Sequence, residues 1–350
     1  MAKHGRVVKL DPSKGISIVG IARLAGVTKS TVSKVLNNYS GVHEDTRKKI
    51  RKIVEEMGYQ PNSAAKMLAS RKTESIGLVI PHAPETSLDS AYWSSLVSAV
   101  AKESSRCGYT LSLLLPREEV ELHELFTSIV RKRMVDGLIV GAELLVKRDL
   151  ATLLYAKTPF VMLGKNPQLG HHCVDIDNRA AGAAIARYML TRGYKRPLFV
   201  GGPSQYYYMS ERAAGFAQEL EAAGHHALAP LFFAYDGHQE MRRALMEKVP
   251  RFKPDSAVIG AGDYFMFSAL SIFSEIGLRF PDFGFASFDD EPVLDFLTPP
   301  ITAVKQPMAE MGREAVKMLT DLISSAGEEP ADRVSILPTT IVSRKSCGEN

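Results

Sequence analysis

Apolar residues recur along this chain in two rhythms, and the change falls near residue 74. Before it the spacing is helical. Ile18, Ile21, Ala22 and Leu24 predict a short helix that Ser17 can cap and that Gly26 ends in a turn. Thr28, preceded by the apolar Val27, can cap a second helix whose inward stripe is Val32, Val35 and Leu36. Lys29, Ser30, Ser33 and Lys34 are left on its open side. Glu44 and Asp45 suit the positive end of a third helix, buried through Ile50, Ile53, Val54 and Met57 and closed by Gly58. Pro61 then breaks the chain, and Asn62 can cap a helix to about Ser70 carrying Ala64, Ala65, Leu68 and Ala69. Nine residues make no stable helix alone, so this one is expected to fold only against something else.

From Ser75 onward short β-rich runs alternate with helical stretches. IGLVI (76–80), TLSLLL (110–115), DGLIVG (136–141) and PFVML (159–163) read as buried parallel strands, with Gly108 and Gly137 at junctions. PLFVGG (197–202), SAVIGA (256–261) and FGFASFDD (283–290) form a second series. The pattern predicts an α/β body of two open, doubly wound parallel-sheet units. VDIDN (174–178) and PPITAVKQP (299–307) read as crossings between them.

Charge divides the chain at nearly the same place. Residues 1–72 hold 15 Lys/Arg against 5 Asp/Glu, while the remaining 278 hold 28 against 34. A basic head on an acidic body points to a polyanion partner at the head, the alternative being a solvated basic tail. Cys107, Cys173 and Cys347 are odd in number and scattered, which fits neither a disulfide framework nor a zinc pattern. No run reaches the ~18 apolar residues of a membrane span, and the start, MAKHGRVVKLDPSKG, has no apolar signal segment. A cytoplasmic protein is expected.

Two short helices joined at a glycine and packed on a third make a helix-turn-helix unit. Its second helix suits the DNA major groove, with Lys29 and Ser30 placed to read bases and Lys34 one turn further on. Arg47, Lys48, Lys49, Arg51 and Lys52 either neutralise phosphates or solvate the third helix. For 62–70 two readings stand: a linker helix packed on the body, or a helix whose Leu68 wedges between base steps from the minor groove. Enzymatic motifs are missing: no Walker loop, no G-x-S-x-G and no H-E-x-x-H. HHC (171–173) and HH (225–226) have no partner at a standard metal spacing.

ISIVGIARLAGVTKSTVSKVLNN, followed by VHEDTRKKIRKIVEEMGYQPNSAAKMLASRKTESIGLVIP, resembles the LacI family of bacterial transcription regulators, from about Ser17 to Arg344. The resemblance implies a three-helix head (16–60) after a basic extension (1–15), a hinge helix and linker (61–73), and a periplasmic-binding-protein-like clamshell. Its first subdomain would comprise 74–176 and 306–333, and its second 177–305 and 334–345, with a further crossing near 335–343. Lys29, Ser30 and Lys34 match the base-reading positions, and Leu68 matches the minor-groove wedge. The DNA-facing set is completed by Ser17, Thr28, Thr31, Ser33, Asn37, Asn62, Ala65 and Ala69. Lys34 replaces the usual Arg, a point charge in place of a bidentate fork.

Ligands of open parallel sheets bind beyond the strands' carboxyl ends. There stand Tyr92 and Trp93, the chain's one tryptophan, read either as core or as flanking an effector. Arg212, near the tyrosines of QYYYMS (205–210), and Asp289 match the family's effector-gripping positions. Tyr208 joins them; Asp263 is either a helix cap or a ligand group, and Lys165 either a ligand group or a solvated loop lysine. Rings with Arg and Asp suit a sugar or sugar derivative first and a nucleobase next. Gly164 and Gly262 stand where some relatives have Asp and Asn. The expectation is a regulator, repressor in kind and not an enzyme, without cofactor or metal. It would bind a near-palindromic operator as a homodimer, and the family's C-terminal tetramer helix would be missing, since only KSCGEN follows the last strand. The rivals are a ligand-sensing module without gene control and a metabolic enzyme with a DNA-binding appendage.

Overall fold

The computed structural model describes residues 17–36, 38–59, 72–80, 91–115, 122–142, 145–225, 227–248, 252, 254–278, 283–325 and 331–348. Asn37 and the expected hinge helix, with Asn62, Ala65, Leu68 and Ala69, lie outside them, as does the extension 1–15. The chain forms two compact units, residues 1–72 and 73–350.

The first unit holds three helices among its described residues: α1 (Ile18–Ala25), α2 (Lys29–Leu36) and α3 (Glu44–Glu56). Ser17 Oγ accepts from the Gly20 amide at 3.2 Å and so caps α1. Gly26 leaves the helix with φ +70°, a left-handed conformation for which glycine carries no Cβ penalty. Thr28 Oγ1 accepts from the Thr31 amide at 3.2 Å at the start of α2. The core is Ile21, Ala22, Ala25, Val32, Val35 and Ile50. Leu24, expected on the apolar face, is instead half exposed, because Ala25 takes the inward position on the last turn.

The second unit holds two six-stranded sheets. The first contains β1 (Ser75–Val79), β2 (Thr110–Leu114), β3 (Gly137–Gly141), β4 (Phe160–Leu163), β5 (Cys173–Ile176) and β11 (Val334–Leu337), in the order β2-β1-β3-β4-β5-β11. The second contains β6 (Arg196–Gly201), β7 (Leu231–Phe232), β8 (Ser256–Ala261), β9 (Gly284–Phe288), β10 (Thr302–Lys305) and β12 (Thr340–Val342), in the order β7-β6-β8-β9-β10-β12. Every pairing is parallel except β10 with β12. The helices are α4 (Ala91–Arg106), α5 (Leu122–Lys132), α6 (Lys147–Tyr155), α7 (Asn178–Thr191), α8 (Tyr207–Ala222), α9 (His238–Lys248), α10 (Asp263–Glu275) and α11 (Met308–Ser324).

The first sheet shows why its strands read as near-continuous apolar runs. Ile76, Leu78 and Ile139 face one core with α4 and α11, while Val79, Leu138 and Val140 face another with α5 and α6. Successive side chains point to opposite faces, and both faces are covered. The chain crosses between the sheets three times: after β5, after β10, and between β11 and β12. Each expected crossing stretch therefore contains strand residues. One boundary differs from expectation: 334–337 pairs with β5, so this segment belongs to the first subdomain and the last crossing falls at 338–339.

Asp136 ties down the entry to this body. Its Oδ1 accepts from the Thr73 amide at 2.6 Å and the Thr73 hydroxyl at 2.9 Å, and its Oδ2 from the Glu74 amide at 2.9 Å. Glu74 has φ +52°, a strained turn for a non-glycine residue that these bonds hold in place. Asp136→Ala is expected to cost about 1–3 kcal/mol and to strip hydrogen-exchange protection from the amides of 73–75. Unchanged protection there would contradict this role.

Candidate functional site

The site is built at the carboxyl ends of strands from both sheets. Asp175 is the last residue but one of β5, Gly164 follows β4, Gly262 and Asp263 follow β8, and Asp289 follows β9. Asn178 and Asp263 are the first residues of α7 and α10, and Tyr92 and Tyr208 are the second residues of α4 and α8. Helix N-termini carry partial positive charge, so these four ends offset the carboxylates gathered there. The cleft they line encloses about 680 Å³ of empty space, counting space open to solvent.

Arg212 organises the polar side. It is 6% exposed, and its Nε donates to Asn178 Oδ1 at 2.9 Å. Its guanidinium lies 5.1 Å from the Tyr208 ring centre and 4.5 Å from that of Phe288, so two rings fix its plane. Asn178 donates in turn to Asp175 Oδ1 at 3.2 Å. Asp175 also accepts from the Lys165 amide at 2.7 Å and from its own neighbour Ile176 at 2.7 Å. Burial nevertheless pushes the Asp175 carboxyl above its usual range, with those bonds and Arg212 pulling back. Asp289, at φ +69°, accepts from Gln306 Nε2. Burial raises its carboxyl too, Arg212 and Gln306 oppose the shift, and Asp263 adds to it. Asp263 Oδ1 accepts from the amide of its neighbour Tyr264 at 2.7 Å; Gly262, not Asp263, holds the helix-cap position, and Asp263 lines the cleft.

The apolar side consists of rings. Tyr92 and Trp93 meet edge to face at 5.5 Å. Trp93 is 2% exposed and packs in the first subdomain's core, as the core reading expects, and it also lines the cleft. Tyr208 and Tyr235 close the opposite wall, their hydroxyls 3.4 Å apart.

Of the expected effector residues, Tyr92, Trp93, Tyr208, Arg212, Asp263 and Asp289 come together here. Lys165 does not: its residue is exposed and only its amide serves the site, through Asp175. Asp175, Asn178, Tyr235 and Gln306 were not foreseen as site residues. Asp175, Asn178 and Gln306 sit in the two stretches read as crossings, and a crossing at a cleft is where polar groups reach both subdomains.

The HHC histidines have no partner at a standard spacing in sequence, but the fold brings Asp332 to them, with potential ligand atoms of His171, His172 and Asp332 all within 4.8 Å of one another. His171 stacks on Phe160 at 4.0 Å and lies 3.4 Å from Asp332. His172 Nδ1 accepts from the Arg333 amide at 3.0 Å, and burial pushes both imidazoles down. His226 lies outside the described residues.

In the head, Lys29, Ser30 and Lys34 are exposed, while Thr31 and Ser33 are half-buried. The Thr28 hydroxyl is engaged with the Ser30 and Thr31 hydroxyls at 2.9 and 2.8 Å. Arg47 donates to the Tyr39 carbonyl at 2.7 Å and Arg51 to Asn38 Oδ1 at 2.9 Å. These two arginines therefore brace the turn after α2, and Lys48, Lys49 and Lys52 are the exposed lysines of α3.

Residues 17–62 match the family described as bacterial regulatory proteins, lacI family, and residues 186–347 match the periplasmic binding protein-like domain. The chain is 31% identical to the HTH-type transcriptional regulator CelR of Thermobifida fusca, over 93% of this chain and 96% of that one. It is 30% identical to the HTH-type transcriptional repressor PurR of Escherichia coli O1:K1, over 90% and 92%. Among solved structures, a CelR–cellobiose complex aligns with a TM-score of 0.71 at 27% identity, covering 95% of this chain and 99% of that one. A lac repressor dimer bound to operator and the anti-inducer ONPF aligns at 0.80 and 23%, covering 95% and 99%, a likeness of fold. These relatives are transcriptional regulators rather than enzymes, and no helix among the described residues is long and apolar enough to cross a membrane. The exposed side of α2, the two-sheet body with its ring-and-carboxylate cleft and the similarity along nearly the whole length agree: the chain belongs to the lacI family of bacterial regulatory proteins and is an effector-controlled, DNA-binding transcriptional regulator.

Proposed function

We propose that the protein is a cytoplasmic repressor that grips a near-palindromic operator as a two-fold homodimer, and that an uncharged sugar in the cleft sets the strength of that grip. The observation that carries the ligand class is the cleft's composition: the rings of Tyr92, Trp93, Tyr208 and Tyr235 beside Asp175, Asp263, Asp289, Asn178, Arg212 and Gln306. A pyranose presents an apolar face to rings and a rim of hydroxyls to planar hydrogen-bonding groups. Three carboxylates against one guanidinium disfavour a phosphate or carboxylate ligand. The CelR relative, solved with cellobiose, supports a sugar. A planar nucleobase stacks equally well but offers few donors to three carboxylates.

At the DNA end, Lys29, Ser30 and Lys34 read base edges in the major groove. Ser17 opens α1, whose N-terminus suits a phosphate. Thr28, Thr31, Ser33 and Asn37 position α2, and Asn62–Ser70, with Ala65, Leu68 and Ala69, folds on the minor groove. Because that segment is marginal alone, a coupling energy on the order of 1–3 kcal/mol from the cleft suffices to shift its population.

Selection of random duplex DNA by the full chain, with and without a panel of hexoses, tests this. A two-fold motif whose enrichment changes with a sugar is expected; a motif without two-fold symmetry contradicts the dimer, and a response to nucleobases alone replaces the ligand. Lys34→Ala is expected to relax one base position in each half-site and to cost about 1–3 kcal/mol in operator affinity. The same motif from the variant would remove Lys34 from base reading.

A further inference from the structure

The effector cleft does not end at its own wall. Tyr92, Asp289 and Gln306 line it on one side and on their other side line a second hollow. That hollow lies where β10 crosses to α11 and is walled by Ser95 of α4, by Asp290, Glu291 and Pro292 after β9, and by Lys305, Pro307, Met308 and Glu310. Its empty volume of about 720 Å³, counting open space, is close to the 680 Å³ of the cleft counted the same way.

We propose that the second hollow is a subsite for a further sugar unit, so that the effector is an uncharged oligosaccharide of at least two pyranose rings. The inference rests on the sugar reading given above and names the size of the ligand. The chemistry of the walls carries it. Pro292, Pro307 and Met308 offer apolar surface of the kind that covers a pyranose face, and Ser95, Glu291 and Glu310 offer hydroxyl partners. Asp290 is already held by Arg344, at 2.7 Å, and by Lys305, at 3.4 Å, so the hollow's one lysine is committed to a carboxylate. The field there is negative: burial first, then Asp289, Asp263 and Asp290, push the Glu291 carboxyl up to about 7. Such a compartment repels phosphate and carboxylate groups and accepts hydroxyls. Asp289 and Gln306, joined by their hydrogen bond, stand between the compartments, where a glycosidic link would pass.

The test is affinity of the full chain for matched pairs of sugars: glucose with cellobiose and maltose, galactose with lactose, xylose with xylobiose. Binding is read by the fluorescence of Trp93, the chain's one tryptophan, which walls the cleft. At least one disaccharide is expected to bind ten-fold or more tighter than its monosaccharide. Ser95→Tyr, on an exposed position of α4, fills the second hollow with a ring and should reduce that ratio to within about two-fold of one. Glu310→Ala, which keeps the hollow open, should reduce it less. A monosaccharide that binds as tightly as every disaccharide containing it overturns the subsite and leaves the sugar reading standing. So does a ratio that Ser95→Tyr does not change. Failure of all these sugars, with nucleobases binding instead, overturns the sugar reading and the subsite together. Operator binding by each variant shows that it is folded.

Discussion

Gly182→Ala is expected to lower the melting temperature of the effector-binding body by roughly 5–10 °C and to weaken effector binding more than ten-fold. The cause is a reciprocal contact between α7 and α8. A Cβ on Gly182 would lie 2.0 Å from the carbonyl oxygen of Arg212, and one on Gly215 would lie 1.9 Å from that of Arg179. Each glycine thus receives the backbone of the opposite helix. In both cases the obstacle is main chain, which cannot swing aside as a side chain would, so the helices must part. Overpacking of this kind costs about 1–3 kcal/mol and more where nothing yields. Alanine's better helix propensity returns only about 0.5–1 kcal/mol. The ion pairs along the same seam, Arg179 with Glu211 at 3.1 Å and Arg187 with Glu219 at 2.7 Å, are partly exposed and add little resistance. Arg212 and Asn178 stand on these two helices, so parting them pulls the guanidinium from its partner. A variant that melts within about 2 °C of the parent would show that the seam opens at no cost.

That seam also marks where sequence reading ends. Gly182 and Gly215 stand out in no pattern of the chain, because what they avoid is backbone 30 and 36 residues away in sequence. The strands were legible because both faces of each central strand are buried, which leaves apolar runs such as IGLVI and SAVIGA without polar interruption. The head was legible for the opposite reason: its core needs only a few inward residues, and their spacing stands out against a charged exterior. VDIDN (174–178) reads as a crossing, yet its first three residues lie in β5: Asp175 interrupts the apolar run, but the carboxylate is buried there with its own hydrogen bonds and the strand continues around it. The same interruption was the available sign of a site residue. Lys165 is exposed and is not part of the cleft lining; what it brings to the site is its amide, bound by Asp175, a main-chain interaction that residue type does not reveal.

Replacing Arg212 by alanine should weaken effector binding by about a hundred-fold or more and abolish the effector's influence on DNA, while leaving effector-free operator affinity within about two-fold. Arg212 is the single cationic side chain among the described residues lining the cleft. Its hydrogen bonds to a ligand and to Asn178 are charge-assisted, worth about 1.5–3 kcal/mol each, and a loss of 2.7 kcal/mol is already about a hundred-fold. Removal also takes from Asp175 and Asp289 the charge that opposes their upward shift. Both carboxyls should then take up protons at higher pH than in the parent. Residual effector binding by the variant should accordingly weaken less toward acid if protonated carboxyls suffice as partners, and more if the ligand's hydroxyls need ionised acceptors. Arg212→Lys separates charge from shape. It keeps the cation but loses the planar fork between the Tyr208 and Phe288 rings, so it should recover the carboxyl titrations without recovering most of the affinity. Calorimetry on the three proteins, with operator titrations beside it, distinguishes the outcomes. An alanine variant that still responds to effector would move the ligand away from Arg212, and one that also loses effector-free operator binding would make Arg212 a support of the fold rather than the grip on the ligand.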